Sequence, residues 1–169
     1  MARVFLGLGT NLGDRRANLY LALRSLGARL RITAVSSLYD SAPVGYADQP
    51  RFSNLVCETE TSAEPPALLA LAKQVEHDLG RRPTVRYGPR VIDIDILLYD
   101  DAVVTSPDLT IPHPRLAERA FVLAPLAELA PDLLVPTLGR TVAALWAALP
   151  RQDIRRLEGE EGRLPPCTK

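Results

Sequence analysis

Arg3 to Gly9 reads as a strand in which apolar side chains recur at every second position, Val4, Leu6 and Leu8. Val4, Leu6 and Leu8 share one face and Gly7 and Gly9 the other, the period of a strand. Asp14 is placed to cap a helix running to about Leu30. Its buried stripe is Leu19, Leu23, Leu26 and Leu30, at i, i+4, i+7 and i+11. Ile32 to Tyr39 reads as a second strand, Ser41 to Pro50 as a loop punctuated by Pro43, Gly45 and Pro50, and Phe52 to Thr61 as a third strand. Pro65 and Pro66 open a second helix whose stripe is Leu68, Ala72, Val75 and Leu79, and Gly80 ends it. After a polar loop from Arg81 to Pro89, Val91 to Tyr99 forms a fourth strand. The order β-α-β-β-α-β predicts an α+β fold, a ferredoxin-like sandwich with both helices on one face of an antiparallel sheet.

The rest of the chain reads as an extension of that unit. Ala102 to Val104 suggests a short strand, Leu116 to Leu129 a helix kinked at Pro125, and Thr141 to Leu149 a helix with Val142, Leu145, Trp146 and Leu149 on its apolar side. Residues 1–150 are therefore expected to form a single domain. Residues 151–169, charged and ending near Pro165-Pro166, are expected to be a loosely ordered tail.

The fourth strand carries the strongest chemical signal. In Gly88 to Asp100 (GPRVIDIDILLYD), the strand period sends Ile92, Ile94, Ile96 and Leu98 to one side and Asp93 and Asp95 to the other. Two strand rises separate the Asp Cα atoms by roughly 6.6 Å. Carboxylates this close repel unless a cation or proton lies between them. Two such oxygen donors suit Mg²⁺, which takes one or two carboxylates and fills its shell with water and phosphate oxygens. Spacing alone leaves this reading level with two solvated acids on an exposed strand. The isoleucines imply a face covered by the helices, and the aspartates imply an open one.

Composition narrows the setting. The 169 residues suit one domain that buries a sizeable core without staples. Lys+Arg and Asp+Glu both number 20, for a net charge of zero, which argues against bulk electrostatic binding of nucleic acid. Nearly all the basic residues are Arg, only Lys73 and Lys169 being lysines; genomic base composition explains that bias before phosphate recognition does. Cys57 and Cys167 make neither a metal motif nor a disulfide framework. The sequence lacks a signal peptide pattern and any apolar run of membrane-spanning length, so a soluble cytoplasmic protein is expected.

Other constellations are weaker taken singly. Gly7, Gly9 and Gly13 miss the GxGxxG dinucleotide spacing, and there is no GxxxxGK[ST] loop. Arg81, Arg82, Arg86 and Arg90 surround the Asp pair; they suit a triphosphate with its Mg²⁺, or simply a solvated charged loop. Phe52 and Asn54 share a strand face, where a ring and an amide would stack on and hydrogen-bond a flat heterocycle; Phe121 would supply a second ring. Open ferredoxin-like sheets also bind single-stranded RNA, but through exposed aromatics with basic neighbours. Here the corresponding face carries glycines and aspartates. A metal-dependent phosphohydrolase would use the same Asp pair without an acceptor.

Four ordered segments, LGLGTNLGD, SSLYDSAPVGYADQPRFSN, YGPRVIDIDILLYD and IPHPRLAERAFVLAPLAELAP, together span about Val4 to Pro136. In them the chain resembles the hydroxymethyl-dihydropterin pyrophosphokinases of folate biosynthesis. The resemblance implies a ferredoxin-like fold and transfer of pyrophosphate from ATP to the pterin hydroxymethyl oxygen, with release of AMP. It implies that Asp93 and Asp95 bind two Mg²⁺ ions and that Arg81 and Arg90 hold phosphates, these four being the catalytic set. It further implies that Glu76, Tyr87, Arg90, Ile96, Thr110, His113 and Arg119 contact or flank ATP, and that Ser41, Val44, Gly45, Phe52, Asn54 and Phe121 line the pterin side. A monomer acting on small molecules, with no nucleic acid or membrane partner, is implied as well. Three positions depart from the family pattern. Tyr87 stands where Trp is frequent, Phe52 where Tyr is frequent, and Ala42 where a second Pro is common.

Overall fold

The computed structural model describes residues 1–164. The expectations for Pro165-Pro166 and Cys167 therefore fall outside the described residues. Alternation along Ala2–Thr10 produces β1, whose Val4, Leu6 and Leu8 are all buried. Asp14 caps α1 (Arg15–Gly27) by accepting the Ala17 N–H at 3.0 Å. The stripe Leu19, Leu23, Leu26 and Leu30 is buried, although the helix itself stops at Gly27.

The expected second strand is two strands, β2 (Arg31–Val35) and β3 (Tyr39–Ser41), laid end to end along one edge of β4 (Phe52–Thr61). Ser36 causes the interruption: its Oγ accepts the Val56 N–H at 2.9 Å, substituting a side chain for a ladder carbonyl. The helix α2 (Pro65–Asp78) starts at the Pro pair, and Leu68, Ala72 and Val75 face inward. The strand β5 (Asp93–Tyr99) lies against the far edge of β1.

These strands make an antiparallel sheet, with β5, β1 and β4 side by side and β2 and β3 sharing the outer edge of β4. One face is sealed. Val4, Leu6 and Leu8 of β1 and Ile94 and Ile96 of β5 join the stripes of α1 and α2 in one apolar cluster.

The opposite face was expected to be open, and half of it is not. After short hairpins β6/β7 (Val104–Thr105, Thr110–Ile111) come a 3-10 turn (Leu116–Glu118) and α3 (Ala120–Leu129). A further hairpin β8/β9 (Leu134–Val135, Arg140–Thr141) leads into α4 (Val142–Ala148). Phe5, Val56, Leu97 and Leu98 pack under α3 and α4 in a second apolar cluster.

Leu98 was expected beside the isoleucines. It changes sides because the β1–β5 register shifts between Phe5 and Leu6, Phe5 pairing with Leu98 and Leu6 with Ile96. Leu97 is the extra residue, and such a bulge reverses the alternation beyond it.

Three further expectations are corrected. The helix expected from Leu116 is broken at Arg119, whose extended backbone (φ −114°, ψ 111°) separates the 3-10 turn from α3; Pro125 lies inside α3. Trp146 is 38% exposed, while Val142 and Leu145 are buried. The segment after Arg151 is not loose throughout: β10 (Ile154–Arg156) pairs antiparallel with β3 and extends the sheet. No helix among the described residues is long and apolar enough to cross a membrane.

Candidate active site

On the half-covered face, the uncovered end of the sheet forms a pocket. Its floor follows from strand register. Gly9 of β1 pairs with Asn54 of β4 on one side and Asp93 of β5 on the other; Gly7 likewise lies between Val56 and Asp95. Neither glycine has a side chain to screen the aspartates, so both carboxylates face into the pocket. Two interstrand spacings put Asn54 and Asp93 about 10 Å apart, with bare backbone between them.

The acidic end is bound to arginines. The Arg81 Nη1 donates to Asp93 Oδ1 at 2.8 Å and pairs with Glu76 Oε1 at 2.6 Å. Arg90 Nη1 donates to Asp93 Oδ2 at 3.0 Å. Glu76 is buried on α2, and its Oε1 also accepts the Ile94 N–H at 2.8 Å. Burial pushes the Glu76 carboxyl above its ordinary value, and the Ile94 N–H and Arg81 offset this only in part. Glu76 thus acts from behind the strand, holding Arg81 against Asp93.

Among the described residues Asp95 has no such arginine partner. Burial first, and repulsion from Asp93 second, push its carboxyl up to about 7. His113 Nε2 lies 3.9 Å from Asp95 Oδ2. Burial, helped by Arg119, lowers the imidazole to about 4, so the ring is neutral near pH 7. Its Nδ1 accepts the Arg115 N–H at 3.1 Å, which leaves the ring hydrogen on Nε2 facing Asp95.

Among the described residues no three His, Cys, Asp or Glu side chains converge as a metal cage. A pair of oxygen donors, one held above its ordinary protonation range first by burial and then by the other carboxylate, fits Mg²⁺. That ion draws its remaining ligands from water and phosphate.

The opposite end suits a flat ring. Phe52, Asn54, Ser41 and Val44 line one wall; Phe121 and Arg119, from the start of α3, line the other. Asn54 Nδ2 donates to Ser41 Oγ at 2.8 Å, which fixes the orientation of the amide. Arg119 lies over the Phe121 ring, 5.4 Å from its centroid.

Two loops close the rim. Gly45 sits at φ +86° against Tyr87, and an added Cβ would come within 2.8 Å of that ring. Gln49 Nε2 donates to the carbonyls of Tyr46 and Tyr87, both at 2.6 Å. Arg86 and Arg115 flank the Tyr87 ring at 5.0 and 5.4 Å.

The structure therefore gathers Ser41, Val44, Phe52, Asn54, Tyr87, Arg90, Asp93, Asp95, Arg119 and Phe121 around one pocket, with Gly45, Arg81 and His113 at its margin. It does not bring the side chains of Ile96 or Thr110 there. Ile96 is buried under α1 and α2, and Thr110 is exposed on β7. Three contributors escape the sequence reading. Asn11 is buried, receives the Arg90 N–H at 2.8 Å and donates to Gln49 and Pro50, tying both rim loops to β1. Arg115 stacks on Tyr87, and Leu97 forms part of the floor. Only Asn11 carried a signal, as a polar residue following an apolar strand.

Comparison with known proteins agrees with this geometry. A family model described as 7,8-dihydro-6-hydroxymethylpterin-pyrophosphokinase matches residues 5–131. The chain is 44% identical over 159 residues to 2-amino-4-hydroxy-6-hydroxymethyldihydropteridine pyrophosphokinase of Pseudomonas aeruginosa, covering 93% of this chain and 98% of that one. It is 47% identical over 127 residues to the Bacillus subtilis protein of the same name, covering 74% and 76%. It also matches a folic acid synthesis protein of Dictyostelium discoideum, 42% identical over 147 residues, but covers 87% of this chain and only 22% of that longer protein. Among solved structures, wild-type Plasmodium falciparum HPPK-DHPS superposes with a TM-score of 0.71 at 17% identity, over 86% of this chain and 44% of that one. At that identity the superposition speaks for the fold alone.

Proposed function

The chain belongs to the 7,8-dihydro-6-hydroxymethylpterin-pyrophosphokinase family, and from that premise we propose how its pocket performs the transfer. A dihydropterin lies at the Phe52–Asn54–Phe121 end, and the polyphosphate of ATP lies over Asp93 and Asp95. The observation that carries this reading is the row Asn54–Gly9–Asp93 across three strands, a recognition group and an acidic group separated by bare backbone.

In this reading the pterin hydroxyl oxygen attacks the β-phosphorus of ATP. The bond from that phosphorus to the oxygen bridging it to the α-phosphorus breaks. AMP leaves, and the hydroxyl proton is lost to solvent. Asp93 and Asp95 would hold two Mg²⁺ ions, which supply charge neutralisation on the phosphates and acidify the hydroxyl. Arg81, Arg90 and Arg119 then neutralise charge on the transferred and leaving groups. Neutral His113 donates from Nε2 without adding a charge next to Asp95. Phe121 and Phe52 sandwich the ring, and Asn54 reads its edge. The Tyr87 rim closes over the nucleotide and limits hydrolysis. The strand order β5–β1–β4–β2, with α1 and α2 on one face, supports a ferredoxin-like description of the scaffold.

The test is product analysis with ATP, Mg²⁺ and 6-hydroxymethyl-7,8-dihydropterin. The expected result is AMP and pterin diphosphate in equal amounts, both dependent on the pterin. ADP as product, or AMP formed equally well without the pterin, would overturn the reading.

A further inference from the structure

The wall of the pocket built by Arg119 and Phe121 begins at a weak point in the chain. Arg119 has extended backbone between the 3-10 turn and α3, and its own side chain does not cap the helix. The first N–H groups of a helix need outside acceptors. One comes from the far end of the sequence: Gln152 Oε1 accepts the Ala120 N–H at 3.0 Å. The other end of the same amide, Nε2, donates to the Glu118 carbonyl at 2.8 Å. A single side chain thus binds the backbone on both sides of Arg119.

Gln152 is itself anchored to the opposite wall. Its neighbour Asp153 accepts the Ala42 N–H on its carbonyl at 3.0 Å, and Ile154 pairs with Ser41. The Asp153 carboxylate receives both Nη atoms of Arg51 at 2.8 and 2.9 Å. Arg51 Nε also donates to buried Asp40 at 2.6 Å. Asp40 and Ser41 belong to β3, so the strap runs from the Ser41 wall, through residues 151–154, to the Arg119 wall. A cavity between the two walls is lined by Val44, Arg115, Glu118, Arg119, Gln152 and Ile154.

We infer that Gln152 is a positioning residue for the transfer reaction: it fixes the separation of the two pocket walls by clamping the backbone around Arg119 from an anchor on β3. It touches no substrate; it acts through Arg119 and Phe121. The inference rests on the assignment of these two residues to the nucleotide and pterin sides, and the experiment below separates the two.

Gln152→Ala removes both bonds. Gln152→Glu keeps an acceptor for the Ala120 N–H but sets a carboxylate oxygen, in place of the donor, against the Glu118 carbonyl. Kinetics with varied pterin and saturating Mg-ATP should show the Ala variant with a KM for pterin raised about three- to tenfold, the scale of one or two ordinary hydrogen bonds. The melting temperature should stay near that of the parent, because the amide is only partly buried. The Glu variant should not recover the lost affinity, because a carboxylate cannot donate to the Glu118 carbonyl and its oxygen is repelled there. Amide hydrogen exchange at Ala120 supplies a readout independent of activity, and protection there should fall in Gln152→Ala and return in Gln152→Glu. If the parent enzyme fails to make pterin-dependent AMP, the substrate assignment is wrong, and Ala120 exchange still decides the clamp. Unchanged exchange at Ala120 in Gln152→Ala, or an unchanged pterin KM with a folded variant, would overturn the inference.

Discussion

The two faces of the sheet are built from the same strands and do opposite things. On β1, Val4, Leu6 and Leu8 point to α1 and α2, while Phe5, Gly7 and Gly9 point the other way. The first face is continuous hydrocarbon. The second is divided: Phe5, Val56, Leu97 and Leu98 lie under α3 and α4, and only the Gly7–Gly9 end is left for chemistry. The bulge at Leu97 draws the boundary, because it turns Leu98 away from the isoleucines to the second face. Changes at the open end can therefore abolish activity while the fold persists, and changes on the sealed face can lower stability while the site of the folded molecules stays intact.

The largest expected effect breaks the chemical side alone. Asp93→Ala and Asp95→Ala each remove a carboxylate from the pocket and no apolar contact. Turnover in the coupled AMP assay should fall by at least about a thousandfold. The midpoint of urea unfolding should barely move for Asp95→Ala, since loss of one of two repelling carboxylates relieves strain rather than creating it. Parent-like turnover in both variants at saturating Mg²⁺ would remove the carboxylates from the mechanism. The converse is Leu6→Ala on the sealed face. Leu6 is fully buried between the sheet and the two helices, so its truncation should cost about 2–5 kcal/mol in urea unfolding, with kcat and KM of the remaining folded enzyme close to the parent. A large change in KM would mean the two faces are coupled through β1.

The sealed face is also the more legible one in the sequence. The stripes of α1 and α2 each repeat over about three turns, and local periodicity of that length is strong enough to decide an element; the cap at Asp14 and the alternate apolar positions Val4, Leu6 and Leu8 of β1 support it. The second face depends on what a strand meets rather than on what it carries. The Leu97 bulge needs β1 as its partner, the break at Ser36 needs the Val56 N–H, and the interruption at Arg119 needs Gln152. The edge strand β10 has three residues, two of them arginines, and no pattern of its own. The site follows the same division. The Asp pair, and Phe52 with Asn54, share faces by simple alternation, whereas Asn11, Arg115 and Gln152 enter through hydrogen bonds and stacking between distant segments.

The smallest effect tests the division at its finest scale, within two glycines of one strand. Neither Gly7 nor Gly9 has a positive φ, so an alanine is compatible with the backbone at both. Their surroundings differ. A Cβ on Gly7 would meet the Leu97 side chain at 3.4 Å, an ordinary contact on the apolar side of the boundary. A Cβ on Gly9 would meet Asn54 Oδ1 at 3.0 Å, at the centre of the row that separates the proposed pterin end from the acidic end. Asn54 has little room to yield, because its Nδ2 is bonded to Ser41 Oγ. Gly7→Ala should therefore leave pterin affinity within about twofold and be neutral or slightly stabilising, as replacement of a strand glycine reduces the freedom of the unfolded chain. Gly9→Ala should weaken pterin binding about tenfold, roughly 1.4 kcal/mol, at nearly unchanged stability. Titration of pterin fluorescence against both variants checks the pair. Equal losses would mean that the pocket floor is a single tolerance-limited surface, and that the boundary drawn by Leu97 does not extend to the substrate.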